Sequence, residues 1–142
     1  MSKASILAVA GALLAATPAF AEGDAAEGEK EFRKCQSCHA VKNDAGEVLA
    51  GKGTSGPNLF GVAGRTAGSL ADFNFKDSIV AAGEKGLAWN EEEFVKYLQD
   101  PTKYLRDYLG DDKARSGMSF KLRSEEDAAN VWAYLVSLAP ES

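Results

Sequence analysis

The stretch Cys35-Gln36-Ser37-Cys38-His39 contains both cysteines and the single histidine of the chain. A Cys-x-x-Cys-His spacing is the one that attaches a c-type haem, because two thiols three positions apart can form thioether bonds with both vinyl groups of one porphyrin. The imidazole of His39 can then bind the iron axially. We therefore expect the rest of the chain to enclose one covalently attached haem c.

Met118 is the candidate for the second axial ligand by elimination. Apart from Met1 it is the only methionine of the chain, and a Met/His pair is the ligand set of electron-transfer cytochromes c. A methionine considered alone is more often core filling. Met118, however, lies in a glycine-containing, polar segment rather than on an amphipathic helix face. The sequence thus predicts iron ligation by His39 and Met118.

Three other interpretations of these residues remain open. The cysteine pair of an exported protein can be a redox-active dithiol or a disulfide, although the βαβ pattern of thioredoxin-like proteins is missing here. A zinc site needs three or four protein ligands, and the chain could supply three only by using the whole motif. In a haem enzyme or gas sensor Met118 would dissociate and open the iron, which the flexible-looking segment 110–117 favours.

The first 21 residues have the pattern of a secretory signal peptide. Lys3 provides a positive start, residues 4–16 are almost wholly apolar, and Ala19-Phe20-Ala21 resembles a cleavage site. An apolar stretch of this length is too short to span a bilayer as a helix, so an uncleaved anchor is the minority alternative. We predict cleavage after Ala21, export to the periplasm and one domain over residues 22–142.

The charge balance bears on the class of partner. The net charge is −5 at pH 7, which argues against binding nucleic acid through a generally basic surface. Basic residues nevertheless flank the proposed ligand segments. These residues are Lys34, Lys103, Arg115, Lys121 and Arg123. They form either an ordinary solvated face or a positive rim around an exposed haem edge, which would steer acidic redox partners.

Helix signals recur along the chain and predict an all-α fold. A first helix is expected over residues 25–34 with Asp24 as its capping residue, and a short second helix over residues 77–82 is expected to end at Gly83. Three further helices are expected to follow capping residues, which are Asn90, Asp100 and Ser124. The segments 43–68 and 110–120 are expected to be irregular loops.

The loop 43–68 contains seven glycines and two residues with a possible role beside the haem. Gly56-Pro57-Asn58-Leu59 is expected to form a rigid turn. Its Pro57 carbonyl could accept the second imidazole N–H of His39, a bond that fixes the ring and raises its basicity. Arg65 is either an exposed arginine or a partner of a haem propionate.

These features together resemble a class I c-type cytochrome of the soluble, long-loop bacterial type that includes cytochrome c2 and cytochrome c-550. The resemblance covers residues 22–142. It rests on Gly28-x-x-x-Phe32, the Cys-x-x-Cys-His motif, Gly56-Pro57-Asn58-Leu59-Phe60-Gly61, Gly64-Arg65, Trp89, Tyr97-Leu98-x-x-Pro101, Met118 and Tyr134-Leu135.

The resemblance implies a cytochrome c fold of about five helices and long loops around one haem. It implies that Cys35 and Cys38 carry the haem, that His39 and Met118 bind the iron, and that the first and last helices cross. It further implies that the Pro57 carbonyl accepts a hydrogen bond from His39 and that Arg65 and Trp89 contact an inner haem propionate. Ser116 would also support the propionates. Tyr97 would lie near Met118, and Phe120 would cover the haem edge. Phe75 and Gly117 depart from many relatives, which have a tyrosine and a lysine there.

The function that the resemblance implies is one-electron transfer and not catalysis. A cytochrome bc1-type complex would be the donor, and a photosynthetic reaction centre, terminal oxidase or nitrogen-oxide reductase would be the acceptor. We expect a monomer that docks on these membrane complexes through the Lys/Arg rim, binds no nucleic acid and transforms no small-molecule substrate.

Overall fold

The computed structural model describes residues 22–139, and the predicted signal peptide and its cleavage site lie outside the described residues. Five helices and one two-stranded antiparallel hairpin are connected by long loops, which confirms the predicted all-α class. In chain order the elements are α1 (Ala25–Phe32), β1 (Ala40–Lys42), β2 (Val48–Gly51), α2 (Asp77–Glu84), α3 (Glu91–Gln99), α4 (Pro101–Leu109) and α5 (Glu125–Leu138). Within residues 22–139, no helix has the length and apolar character needed to cross a membrane.

Short polar side chains begin four of the five helices, as predicted. The carboxylate of Asp24 accepts hydrogen bonds from the backbone N–H groups of Ala26 and Glu27, at 2.8 and 3.0 Å. Such bonds satisfy backbone donors that have no partner within the helix. The other three caps each accept from the N–H three residues on, and they are Asn90, Asp100 and Ser124.

Two details of the secondary structure differ from the sequence-based expectation. The hairpin β1–β2 lies where strands were not expected, because its three- and four-residue strands are too short to show an alternating pattern. Helix α2 does not end at Gly83 but continues to Glu84. Gly83 is buried within the helix, where a Cβ would lie 1.9 Å from the carbonyl oxygen of Ala67, so this glycine permits close packing instead of ending the helix.

The crossing of α1 and α5 is the most extensive helix–helix contact among the described residues. A Cβ on Gly28 would lie 1.9 Å from the backbone carbonyl oxygen of Asn130, so the two backbones approach as only a glycine allows. Four residues further along α1, Phe32 packs on Tyr134 with ring centroids 5.6 Å apart. The backbone N–H of Asp24 donates to Oδ1 of the buried Asn130 at 2.7 Å. This crossing fixes the end of α1 from which the Cys-x-x-Cys-His motif follows.

The apolar interior consists of two clusters that meet at Trp89. One joins α1, α3 and α5, and Cys35 and Met118 pack against its edge. The other joins α2 and α4 around Leu105, which is fully buried. The two clusters thus bring together segments that lie more than 80 residues apart in the chain, including the motif and the Met118 segment.

Candidate functional site

The Cys-x-x-Cys-His motif forms a tight helical turn directly after α1. The N–H of Cys35 donates to the carbonyl of Phe32 at 2.8 Å, and that of His39 donates to the carbonyl of Cys35 at 2.9 Å. Cys35 is half-buried and Cys38 is exposed, and both are free thiols. Burial raises the pKa of Cys35 to about 11, whereas hydrogen bonds from Ser55 and Ser37 lower the pKa of Cys38. The turn therefore presents two free thiols, that of Cys38 at the surface and that of Cys35 against the apolar interior.

The His39 ring is buried and oriented by one hydrogen bond. Its Nδ1 lies 2.8 Å from the carbonyl oxygen of Pro57, and since a carbonyl can only accept, Nδ1 carries the proton. Burial lowers the pKa of the imidazole, and this exceeds the opposite effect of the Pro57 bond. The neutral ring therefore presents the Nε2 lone pair, which is the form that binds a metal.

Gly56 leaves room for this ring. A Cβ at position 56 would lie 2.4 Å from Cε1 of His39, closer than any side chain can be placed. The N–H of Gly56 also donates to the carbonyl of Cys38 at 2.8 Å, which ties the loop to the motif. The segment predicted as a turn, residues 56–59, thus makes room for the histidine ring as well as accepting its hydrogen bond.

Ser116 is the centre of the contacts that hold the Met118 segment. Its Oγ accepts from the backbone N–H of Met118 at 3.0 Å and pairs with the Tyr97 hydroxyl at 2.8 Å. Its own backbone N–H donates to Oγ1 of Thr102 at 3.1 Å. Helices α3 and α4 thus fix the segment through Tyr97 and Thr102. Thr102 was not among the predicted site residues, because nothing in the sequence around it signals a contact with position 116.

Replacing Ser116 by Ala should loosen the Met118 segment without unfolding the protein. The change removes the acceptor of the Met118 N–H and the partner of the Tyr97 hydroxyl, which together contribute about 1 to 2 kcal/mol. We expect hydrogen exchange of the Met118 amide to accelerate by about tenfold, measured by NMR on the haem-loaded protein. Ser119→Ala is the matched control, since Ser119 is exposed. Equal acceleration in both variants would contradict the role given to Ser116.

The remaining predicted residues surround the same region. Trp89 and Tyr97 are in edge-to-face contact with ring centroids 5.1 Å apart. The guanidinium of Arg65 donates to the carbonyls of Asn58 and Phe60, at 2.9 and 2.5 Å, and makes no other hydrogen bond within residues 22–139. Burial lowers the pKa of Arg65. Phe120 remains 39% exposed. Tyr97 therefore lies near Met118 as expected, and Arg65 holds its own loop together.

The five basic residues of the predicted rim fall into two groups. Three of them are engaged in ion pairs: Lys34 with Glu31, Lys103 with Asp107, and Lys121 with Asp100, the last at 2.7 Å. Over residues 22–139, neither Arg115 nor Arg123 has a carboxylate within ion-pairing distance.

Lys76 is a further cation beside the Met118 segment that the sequence did not reveal. Its side chain packs over Gly117, where a Cβ would lie 3.0 Å from Cγ of the lysine. The two residues are 41 positions apart in the chain, and nothing in the sequence signals their contact. Lys76 therefore places a positive charge near the position where many relatives have a lysine of their own.

The donor set fits a covalently bound haem. Two free thiols, a neutral imidazole with its Nε2 lone pair available, and a thioether are the groups that c-type haem attachment and axial ligation require. Cys35, Trp89 and Met118 also border the same apolar cluster, which suits a large apolar ring. Among the described residues, no three His, Cys, Asp or Glu side chains are grouped so as to hold a metal ion by themselves.

Comparisons with known proteins agree with this chemistry. The chain is 57% identical over 117 residues to cytochrome c2 of Rhodovulum adriaticum, covering 82% of this chain and 93% of that protein. It is 41% identical over 143 residues to cytochrome c-550 of Paracoccus versutus, covering 99% and 92%. The solved structure of cytochrome c2 from Rhodobacter sphaeroides superposes with a TM-score of 0.82 at 52% identity, covering 85% of this chain and all of that one. No protein-family model matches the chain.

Proposed function

The chain belongs to the class I, long-loop cytochrome c2 family, and we propose that it is a periplasmic one-electron carrier in which His39 and Met118 bind the haem iron. As a member of this family it carries one covalently bound haem c and transfers electrons without acting as an enzyme. The observation that carries the proposed ligation is the His39–Pro57 hydrogen bond, because it places the proton on Nδ1 and leaves the lone pair of Nε2 to bind the iron.

Each functional residue has a separate task in this proposal. The haem, when bound, supplies an iron that accepts or releases one electron. Cys35 and Cys38 provide the thioether attachment, His39 provides Nε2, and Met118 provides its thioether sulfur. A Met/His pair raises the reduction potential, and the Pro57 carbonyl holds the imidazole in one orientation. The apolar cluster that borders Cys35 and Met118 excludes water from this side of the site.

The contacts of the Met118 segment favour an electron carrier over a gas sensor. The N–H of Arg115 donates to Oγ of Ser78 at 3.0 Å, and Nε of Arg106 donates to the carbonyl of the buried Ala114 at 3.1 Å. Together with the Ser116 bonds, these contacts restrain the segment that a sensor would have to release. With His39 and Met118 both bound, the iron would have no open position for a gas or substrate.

Partners are proposed from the charge on the side that contains Met118. Lys76 packs over Gly117 and Arg115 lies two residues before it, whereas Lys103 and Lys121 are paired with Asp107 and Asp100. A positive area in a chain of net charge −5 orients the molecule toward acidic surfaces and raises the rate of encounter at low salt. We propose a bc1-type complex as donor and a reaction centre, oxidase or nitrogen-oxide reductase as acceptor.

Haem attachment and signal-peptide cleavage are both tested by mass spectrometry of the protein, expressed in cells that contain a haem-attachment system. After extraction with acidified organic solvent, the chain should keep its haem, with a mass equal to residues 22–142 plus one haem. The Cys35→Ser/Cys38→Ser double variant should lose the haem in the same solvent, because only the thioethers resist it. Loss of haem from the unchanged chain would refute attachment at these cysteines, and a mass that includes residues 1–21 would refute cleavage after Ala21.

A further inference from the structure

Four aromatic side chains form a continuous series from the neighbourhood of the Met118 segment to the protein surface. The ring centroids of Trp89 and Tyr97 are 5.1 Å apart, those of Tyr97 and Tyr104 are 5.7 Å apart, and those of Tyr104 and Tyr108 are 5.9 Å apart. These are the separations of aromatic rings in direct contact. Each ring can therefore exchange an electron with the next one without crossing intervening solvent or aliphatic packing.

Tyr104 differs from the other tyrosines in its hydrogen-bond partner. Its phenolic O–H donates to the carboxylate of Glu93, whereas the hydroxyl of Tyr97 pairs with the neutral hydroxyl of Ser116. Burial, followed by the bond to Glu93, raises the pKa of Tyr104. Among the described residues, Tyr104 is the one tyrosine whose hydroxyl is bonded to a carboxylate. It is therefore the one with a charged proton acceptor already in place.

The surroundings allow the proton to move. A tyrosine that loses an electron becomes a strong acid, so its oxidation depends on an acceptor for the phenolic proton. Glu93 and Tyr104 line a surface groove of about 510 Å³, through which the carboxylate can exchange its proton with water. The nearby Lys96 pairs with Glu92, so that Glu93 remains an acceptor for the phenol.

A cation at the outer end of the series determines where the electron vacancy rests. Nζ of Lys85 lies 5.6 Å from the ring centroid of Tyr108 and donates to the carbonyl of the same residue at 2.7 Å. A positive charge over an aromatic face stabilises the intact ring and opposes removal of an electron from it. The vacancy is therefore more stable on Tyr104 than on the stacked Tyr108.

We propose that Tyr104 and Glu93 form a proton-coupled redox site, separate from the haem iron, that collects oxidising equivalents from the interior and holds them at the surface. A strong one-electron oxidant, such as an oxidising radical, removes an electron from Trp89 or Tyr97, and Tyr104 refills the vacancy through ring contact. The O–H bond of Tyr104 breaks, its proton passes to the Glu93 carboxylate, and the oxidant is reduced by one electron. The site would protect the Met118 segment from irreversible oxidation.

The test uses the ferric haem-loaded protein and ruthenium(III) tris-bipyridine generated by a light flash as the oxidant. Rapid freezing followed by electron paramagnetic resonance should show a tyrosyl radical, which Tyr104→Phe abolishes and Tyr108→Phe leaves in place. In Glu93→Gln the radical should form about 100-fold more slowly, the lower end of the effect of a positioned proton acceptor. Formation in the unchanged protein should also slow in heavy water, because the proton moves with the electron.

Two matched variants separate the proposal from general damage. Glu126→Gln removes an exposed carboxylate in the first turn of α5, away from the series, and Tyr134→Phe removes a tyrosine that packs on Phe32 outside the series. Both should form the Tyr104 radical at the unchanged rate. A radical that survives Tyr104→Phe, or equal rates in Glu93→Gln and Glu126→Gln, would overturn the proposal. Neither readout depends on which residues bind the iron.

Discussion

Met118→Ala should give a folded protein that keeps its haem but has a much lower reduction potential. The thioether of methionine stabilises the ferrous iron relative to the ferric iron, so its loss favours the oxidised state. We expect a fall on the order of 0.2 V, within the range over which axial ligands set haem potentials. The measurement is a redox titration of the haem-loaded variant, monitored through the visible absorption of the haem.

A second result should accompany this fall. The vacant coordination position would bind carbon monoxide rapidly in the reduced variant, whereas the unchanged protein, with both positions occupied, should bind it slowly. Rapid binding by the unchanged protein at neutral pH would instead support the gas-sensor interpretation. The two proteins therefore need to be compared under the same conditions.

Leu122→Ala is the control for the loss of apolar volume near Met118. Leu122 is 6% exposed and its N–H donates to the carbonyl of Leu98 at 2.8 Å. Its truncation should lower the stability by about 2 to 5 kcal/mol, as for other buried leucines, and change the potential little. An unchanged potential in Met118→Ala, or an equal fall in Leu122→Ala, would exclude Met118 as the ligand.

The sequence predicts the parts of the site that depend on local chemistry. The Cys-x-x-Cys-His spacing indicates haem attachment because the chemistry needs two thiols and an imidazole within five consecutive residues. The caps Asp24, Asn90, Asp100 and Ser124 are readable because each bonds to a backbone group at most three residues away. The glycine-proline pair at residues 56 and 57 indicates a turn, and the Pro57 carbonyl is the hydrogen-bond acceptor of His39 in the structure.

The parts that the sequence does not predict depend on distant segments meeting. Gly83 has the local signature of a helix end, but the carbonyl of Ala67 approaches it closely and makes it a packing residue within α2. Glu93 has the position of a capping-box residue, yet its carboxylate accepts from Tyr104, 11 residues on. Lys76 and Thr102 reach the Met118 segment from other helices or loops. Their roles depend on the tertiary fold, so no pattern in the neighbouring sequence indicates them.

Gly28→Ala should destabilise the protein by at least about 3 kcal/mol, at the upper end of the cost of overpacking. Two effects of opposite sign compete at this position. Alanine favours a helix over glycine by about 1 kcal/mol, which by itself would stabilise α1. The new Cβ, however, would lie 1.9 Å from the carbonyl oxygen of Asn130 and 2.8 Å from Cβ of Tyr134. Because the first of these is backbone, no rotamer change can relieve the overlap.

The outcome therefore reports directly on the α1–α5 crossing. Urea unfolding of the haem-loaded variant measures the loss, and hydrogen exchange at Asp24 should accelerate because its bond to Asn130 requires the two helices to stay close. Glu29→Ala is the matched control, since Glu29 is exposed on the same helix and its replacement should change the stability by less than about 0.5 kcal/mol. A gain of stability in Gly28→Ala would mean that helix propensity prevails and that the helices do not approach each other as described. A loss confined to Gly28 would show that this contact holds α1, and with it the haem-attachment motif, against the rest of the protein.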